Sequence, residues 1–369
     1  MTEWIECTLD KLGEIVGGAT PSTKCEDYYG GSIPWITPKD LSSFKGRYIT
    51  SGERNITEKG LASCSAQMMP KDAVLFTSRA PIGYVAIASQ SVCTNQGFKS
   101  IVGNEKADPL FVYYLLKYNK DAIEAMGSGT TFKEVSGKTM RAVKVRIPLD
   151  VSYQKRIAAV LDSLDTKIEN NERINDNLEL QAQAIYSYMF IENADPAWVQ
   201  GHLSDLITVK YGKDHKKLAD GSYPVYGSGG IMRYVERPLY DKESVLIPRK
   251  GTLNNVMYVN QPFWSVDTMF YTEMRLPNVA KFVYHFVKAK DLASMNAGSA
   301  VPSMTTDILN AMEVVIPSTS ALAEFESLVD PMYRAMQENN IQSSKLSELR
   351  DALLPKLMSG EIDVSDIQL

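Results

Sequence analysis

The chain has 369 residues, 44% hydrophobic and 22% charged, with a formal net charge of −5. That length suits two ordinary domains plus connecting elements, and the mix of apolar and charged residues excludes a disordered or fibrous protein. Met1 to Leu12 carries Glu3, Glu6, Asp10 and Lys11 with no signal-peptide core, and no stretch approaches the ~18 apolar residues of a membrane span, so a cytoplasmic protein is expected.

The charge is unevenly placed. Residues 1–150 hold 18 Lys/Arg against 16 Asp/Glu, and residues 196–317 hold 13 against 11. The acidity sits in residues 151–195, with 4 against 8, and in residues 318–369, with 4 against 9. Two mildly basic segments thus alternate with two short acidic ones, a partition that permits contact with a polyanion in the large segments. Cys7, Cys25, Cys64 and Cys93 form no close pair and lie far in sequence from His202, His215 and His285, so reduced thiols are expected and no metal site.

In chain order, residues 1–150 read as a turn-rich mixed domain. Strand-like runs at Ala73–Thr77, Gly83–Ile87 and Ala142–Ile147 are bounded by Gly, Pro and Ser. Residues 151–195 form a spacer helix: Ile157, Leu161, Leu164 and Ile168, then Leu178, Ala182, Ile185 and Met189, recur at heptad spacing, with Asn171 and Asn175 between. Residues 196–318 form a second mixed domain, with strands at Val245–Pro248 and Val256–Val259 and a short helix over Val279–Lys288. Residues 319–360 form a distal helix with Phe325, Val329, Met332, Met336, Leu346, Leu353 and Leu357 in its stripe, and residues 361–369 a tail. Asp330-Pro331 reads as an N-cap and N1 pair, which would split off residues 319–329 as a separate short helix.

The chain is written twice. Trp4–Leu9, followed by Leu12 and Ile15, is echoed by Trp198–Leu203, Leu206 and Val209, and Asp72-Ala-Val-Leu75 by Glu243-Ser-Val-Leu246. Further on, Gly129-Thr130 matches Gly298-Ser299, Ala142 matches Ala311, and Ile147-Pro148 matches Ile316-Pro317; Asn170-Asn171 matches Asn339-Asn340 and Met189 matches Met358. The expected fold class is α+β: two tandem mixed domains and two long helices that pair as an antiparallel coiled coil, with a polar layer fixing the register. A helix of about 38 residues is roughly 57 Å long, and twofold DNA readers place their reading elements about 34 Å apart. Two diverged modules on such a spacer would read two different half-sites.

Several stretches together resemble one known family. They are Gly17-Gly-Ala-Thr-Pro21, Tyr28-Tyr-Gly-Gly31, Ile33-Pro-Trp-Ile-Thr-Pro-Lys-Asp40, Val74-Leu-Phe-Thr-Ser-Arg-Ala-Pro-Ile-Gly83 and Thr94-Asn-Gln-Gly-Phe98. Gly127-Ser-Gly-Thr130, Gln154-Lys-Arg-Ile-Ala158 and the closing Leu349–Gly360 complete the set. The chain resembles the specificity subunit of type I restriction–modification enzymes. The second half lacks the Gly-Thr-Pro opening and carries Ala323 where Gln154 stands in the first. The resemblance implies a non-catalytic reader of a bipartite double-stranded DNA target. It also implies two methyltransferase subunits and motor–nuclease subunits as partners. The cofactors, S-adenosylmethionine, ATP and magnesium, would serve the complex, with none in this chain.

No catalytic residue is expected. There is no Pro-Pro for an adenine methyltransferase loop, and Phe132 stands where a phosphate loop ending in Ser136-Gly-Lys-Thr139 requires glycine. Asp165 and Lys167 point to different helix faces and read as a solvated charge pair rather than a nuclease set. Candidate DNA-binding residues in the first module are Lys39, Arg79, Asn95, Gln96, Lys99, Thr130, Thr131 and Lys133. In the second they are Lys213, Lys216, Lys217, Arg249, Lys250, Asn254 and Asn255. All are cationic or amide-bearing residues, or threonines of a Gly-Ser loop, of the kind that bind phosphate and base edges. Trp35 and Trp264 read as core. A self-contained DNA-modifying enzyme would show nuclease or methyl transfer by the chain alone, and a coiled-coil scaffold with two protein-binding modules would show no sequence preference.

Overall fold

The computed structural model describes residues 2–129, 133–295 and 303–367. They fall into two compact units, Met1–Asn171 with Asn340–Leu369, and Glu172–Asn339.

The first unit runs β1 (Trp4–Thr8), β2 (Gly13–Gly17), β3 (Tyr29–Ile36), α1 (Pro38–Ser42), β4 (Tyr48–Ile49), β5 (Arg54–Ile56) and α2 (Glu58–Ala62). It continues β6 (Val74–Ser78), β7 (Ile82–Ala88), β8 (Cys93–Thr94), β9 (Lys99–Gly103), α3 (Pro109–Tyr118), α4 (Lys120–Ala125), α5 (Gly137–Ala142) and β10 (Lys144–Pro148), then enters the long α6 (Val151–Ser187). The sheet orders are β2-β9-β6-β7-β4, β5-β3-β8 and β1-β10. Val74-Leu-Phe-Thr-Ser78 is buried on both faces, as suits a central strand, and Val74 and Phe76 pack with Ile101 and with Phe111 and Leu115 of α3. Asp108 caps α3, its Oδ1 accepting from Phe111 N at 3.0 Å, with Pro109 at the first helical position, where no N–H is missed. The strand expected from Ala142 begins at Lys144, because Ser136 caps α5 by accepting from Thr139 N at 3.0 Å. Ser136-Gly-Lys-Thr139 is therefore a helix cap. The C-terminal residues dock: Val364 is fully buried in the same core, and its N–H donates to the Tyr153 hydroxyl at 3.2 Å.

The second unit repeats the scheme. After α6 closes in a π-helical turn at Tyr188–Glu192, the chain runs β11 (Val199–His202), α7 (Leu203–Leu206), β12 (Ile207–Tyr211), β13 (Asp220–Gly227), β14 (Gly230–Val235) and β15 (Ser244–Pro248). Then follow β16 (Met257–Val259), β17 (Trp264–Ser265), β18 (Met269–Met274), α8 (Ala280–Lys288), α9 (Thr306–Asn310), β19 (Glu313–Ile316) and α10 (Thr319–Ser359). The orders β12-β18-β15-β16, β14-β13-β17 and β11-β19 mirror the first unit's sheets. The repeat extends to single bonds: Leu9 N donates to Val143 O at 3.0 Å, and Leu203 N to Met312 O at 2.8 Å. The units part after the third strand of each. In the first, a capping box of Thr37 and Asp40 starts α1. In the second, Gly227-Ser-Gly-Gly230 turns the chain straight back into β14, with Gly230 at φ +110°, a conformation that favours glycine.

Within each unit α6 and α10 run antiparallel, as expected. In the first, Asp165 pairs with Arg350 at 2.7 Å, and Asn171 Nδ2 donates to Gln342 at 2.8 Å and Ser343 at 3.1 Å. In the second, Asn339 Nδ2 donates to Asn175 Oδ1 at 2.9 Å, and Tyr186 packs on Phe325. The polar middle of both stripes is thus a hydrogen-bonded layer. Two expectations are corrected. Asp165 is no solvated charge: it is buried, bonded to Arg350 and to the Tyr114 hydroxyl at 2.8 Å. Nor does Asp330-Pro331 start a new helix, because α10 is continuous from Thr319 to Ser359. Phe325, Val329 and Tyr333 bury one face across the proline, and the Lys281 ammonium on α8 grips both Glu326 and Asp330 (3.2 Å to the latter). Those contacts outweigh the one hydrogen bond a proline removes.

Candidate nucleic-acid interface

In the first unit, the carboxyl ends of β2, β3, β6 and β8 and the start of β9 meet at one edge. Gly18 makes the meeting possible: a Cβ there would lie 2.2 Å from the carbonyl oxygens of both Thr94 and Asn95, so only glycine lets the strands approach. Ala19 N donates to Thr94 O at 3.0 Å, Asn95 N to Ile36 O at 3.0 Å, and Ser78 N to Gly97 O at 2.7 Å. Asn95 Oδ1 accepts from Gly97 N at 2.8 Å, an Asx turn that holds the tip open, and Gln96 is exposed beside it, accepting from the Thr20 hydroxyl.

Arg79 leaves the end of β6 and Lys99 opens β9, and both reach Glu134. Arg79 NH1 lies 3.4 Å from Oε2 and Lys99 Nζ 3.9 Å from Oε1. Burial lowers the Lys99 ammonium below its ordinary range, opposed by Glu134 and reinforced by Arg79. Lys133 is exposed next to Glu134. Lys39, on α1 beyond β3, pairs with Glu53 at 2.7 Å, with both side chains mostly in water. The structure therefore gathers Arg79, Asn95, Gln96, Lys99 and Lys133 at one strand-end surface, with Lys39 on the adjoining helix; Thr130 and Thr131 lie outside the described residues.

The second unit builds the same edge. A Cβ on Gly212 would stand 2.0 Å from Val266 O, as at Gly18. Lys213 N donates to Ser265 O at 2.8 Å, Arg249 N to Thr268 O at 2.9 Å, and Met304 N to Arg249 O at 2.9 Å; Val135 N donates to Ser78 O at 2.9 Å in the first unit. Ser78 thus corresponds to Arg249, Arg79 to Lys250 and Glu134 to Ser303, and the isolated bridges Arg79–Glu134 and Lys250–Ser303 repeat that pairing. Arg249 lies over the Tyr211 ring at 5.4 Å and donates to Asp267 O at 3.1 Å. Lys250 is exposed, and Asn255 Nδ2 donates to Ser228 O at 2.8 Å, tying this edge to the tip of the β13–β14 hairpin. Lys213, Arg249, Lys250 and Asn255 are thereby brought together. Lys216 and Lys217 are exposed in the turn after Lys213. Asn254 turns away, its amide held by Asp291 and Ala293 N, each at 3.0 Å.

Sequence reasoning did not single out Glu134, although it directly follows Lys133. It also passed over the β14 residues Ile231 and Met232, which are 48% and 60% exposed at the hairpin tip beside Asn255. The Gly-Ser-Gly-Gly run was the available signal for that hairpin. Trp35 and Trp264 are core, their indole N–H groups donating to Ala19 O at 3.0 Å and Lys213 O at 2.8 Å. Among the described residues no group of three or more His, Cys, Asp or Glu side chains is placed to hold a metal ion, and no helix is long and apolar enough to cross a membrane.

Duplicated modules with polar, cationic strand ends, built on paired long helices, define a modular recognition protein. The family profile described as "Type I restriction modification DNA specificity domain" matches residues 1–180 and 197–339. The chain is 31% identical to the type I restriction enzyme MjaIX specificity subunit of Methanocaldococcus jannaschii, over 99% of this chain and 95% of that one. It is 23% identical to the EcoprrI specificity subunit of Escherichia coli, over 89% of this chain and 86% of the relative. The fold is also that of a crystal structure of the type I restriction–modification S subunit from M. genitalium, with a TM-score of 0.60 at 19% identity over 96% of each chain. The chain belongs to the type I restriction enzyme specificity subunits, and its role is to give the system its DNA sequence specificity.

Proposed function

We propose that each unit reads one half of a bipartite duplex target through its strand-end surface. The observation that carries this reading is the repetition of one backbone framework with different side chains. Glycine-enabled strand contacts at Gly18 and Gly212 hold the same edge in both units, while Arg79 becomes Lys250 and Glu134 becomes Ser303. A rigid frame with exchanged tips is what two readers of unlike half-sites require. Lys39, Arg79, Lys99, Lys133, Lys213, Lys216, Lys217, Arg249 and Lys250 supply phosphate and base contacts, and Asn95, Gln96 and Asn255 the amides; Asn254, held by Asp291 and Ala293, supplies none. Methyl transfer and DNA cleavage reside on methyltransferase and motor–nuclease partners, which use S-adenosylmethionine, ATP and magnesium. The chain itself works in the cytoplasm as the non-catalytic reader.

Two measurements test this. Mapping methylated adenines in DNA exposed to the reconstituted complex should return one split motif. Lys250→Glu should weaken specific binding about tenfold and lower the salt dependence by about one phosphate contact. Its melting temperature should stay unchanged, since Lys250 is exposed. Unaltered affinity across a salt titration would remove Lys250 from the surface.

A further inference from the structure

The strand-end edge of the first unit holds a carboxylate, and a carboxylate repels DNA phosphate. The backbone of Glu134 is nevertheless held at that edge on both sides. Its N–H donates to Ser128 O at 2.9 Å, its carbonyl accepts from Ser128 N at 3.0 Å, and its neighbour Val135 donates to Ser78 O. Its side chain is 40% exposed and stands between Arg79 and Lys99 at 3.4 and 3.9 Å, distances that leave both oxygens open to a further donor. Ser303 takes the same place in the second unit, bridged to Lys250 as Glu134 is to Arg79. Phe270 takes the place of Lys99 while Lys250 keeps the cation of Arg79, so the second cation accompanies the carboxylate only in the first unit.

We infer that Glu134 is a specificity-determining residue of the first unit, accepting a hydrogen bond from an exocyclic amino group, cytosine N4 or adenine N6, in that unit's half-site. Arg79 and Lys99 position the carboxylate and offset its repulsion of the backbone. This rests on the strand-end surface facing DNA. Carboxylates accept from base amino groups in the major groove, whereas the neutral hydroxyl at position 303 donates as well as accepts and so imposes no such choice. Direct readout at one position then separates the two modules' half-sites, while the duplicated frame keeps them docked alike.

The test uses the full chain assembled with its methyltransferase subunits on DNA in which both half-sites are randomised, with methylated positions sequenced. Glu134→Gln and Glu134→Ser should each change the base preference at one position of one half-site, by about five- to a hundredfold. The other half-site should be untouched, and Ser303→Glu should do the reverse. Melting curves for each variant separate lost reading from lost folding. An unchanged motif in both Glu134 variants overturns the inference. So does a uniform rise in affinity across all sequences, which would make Glu134 a charge moderator only. Absence of any motif from the unmodified complex would instead sink the DNA-facing reading itself.

Discussion

Where α3 meets the long helices in the first unit, and α8 meets them in the second, the same junction is built with different chemistry. The two short helices correspond closely: Lys117 lies over Tyr113 at 5.1 Å, and Lys288 over Tyr284 at 5.0 Å. One residue further on, Tyr114 donates to Asp165, which pairs with Arg350. His285 instead bonds Gln183 through Nδ1 at 2.8 Å and the Tyr333 hydroxyl through Nε2 at 2.9 Å. At this position one centre is a charge pair and the other a neutral network, while the second junction carries its buried charge elsewhere, at Lys281 of α8 between Glu326 and Asp330 of α10.

The largest effect should come from breaking the charge pair. Asp165→Ala leaves the half-buried Arg350 with Asp351 alone and the buried Tyr114 hydroxyl without an acceptor, a loss of about 3 kcal/mol. Asp165→Leu combined with Arg350→Met should recover most of it. Thermal unfolding of the single and double variants measures this, and a single variant within 1 kcal/mol of the unmodified chain would show that the pair carries no weight.

The neutral centre at His285 should reveal itself through pH. His285 is fully buried, and that burial pushes its pKa down to about 4. Because the folded value lies below the unfolded one, the unfolded chain binds the extra proton, and stability falls as pH drops from about 6.5 towards 4. The loss approaches about 3 kcal/mol at the lower end. Protection factors over residues 280–288, corrected for the slower chemical exchange at low pH, should fall in that window. His285→Gln, which keeps an amide between Gln183 and Tyr333, should abolish the fall; an identical slope in that variant would place the titration elsewhere.

The duplication, the long helices, their antiparallel sense and the polar layer were legible because each leaves a periodic or repeated trace in the sequence. Heptad spacing marks Ile157, Leu161 and Ala182, and the repeat register marks Ile147-Pro148 and Ile316-Pro317. What escaped depends on contacts distant in sequence. The continuity of α10 through Pro331 is secured by Lys281 from α8, and the burial of Asp165 by Tyr114 and Arg350, partners no local window contains. Gln154 was noticed as a motif, and the structure gives its reason: it is fully buried, donating to Lys106 O and Pro148 O and accepting from Asp108 N, each at 3.0 Å. At the strand-end surface the cations were legible by type, whereas Glu134 hid among solvated acids because its meaning lies in where Arg79 and Lys99 converge.

The smallest predicted effect is the sharpest comparison, because the same substitution at corresponding positions should change sign. Lys288 is exposed and pairs with Glu179 at 2.9 Å, and it donates to the Tyr284 hydroxyl at 2.7 Å. Lys288→Met should therefore cost about 0.5–1 kcal/mol. Lys117 lies deeper: burial lowers its ammonium below the ordinary lysine range, its bond to the Tyr113 hydroxyl is long at 3.4 Å, and Asp165 is already engaged by Arg350. Removing a desolvated charge of this kind while keeping an apolar chain of similar length should be neutral or stabilising, by up to about 1 kcal/mol. Matched denaturant titrations of the two variants decide the point. A loss at Lys117 equal to that at Lys288 would mean the duplicated cation–aromatic pair does the same work in both units and that the difference in burial has no energetic consequence.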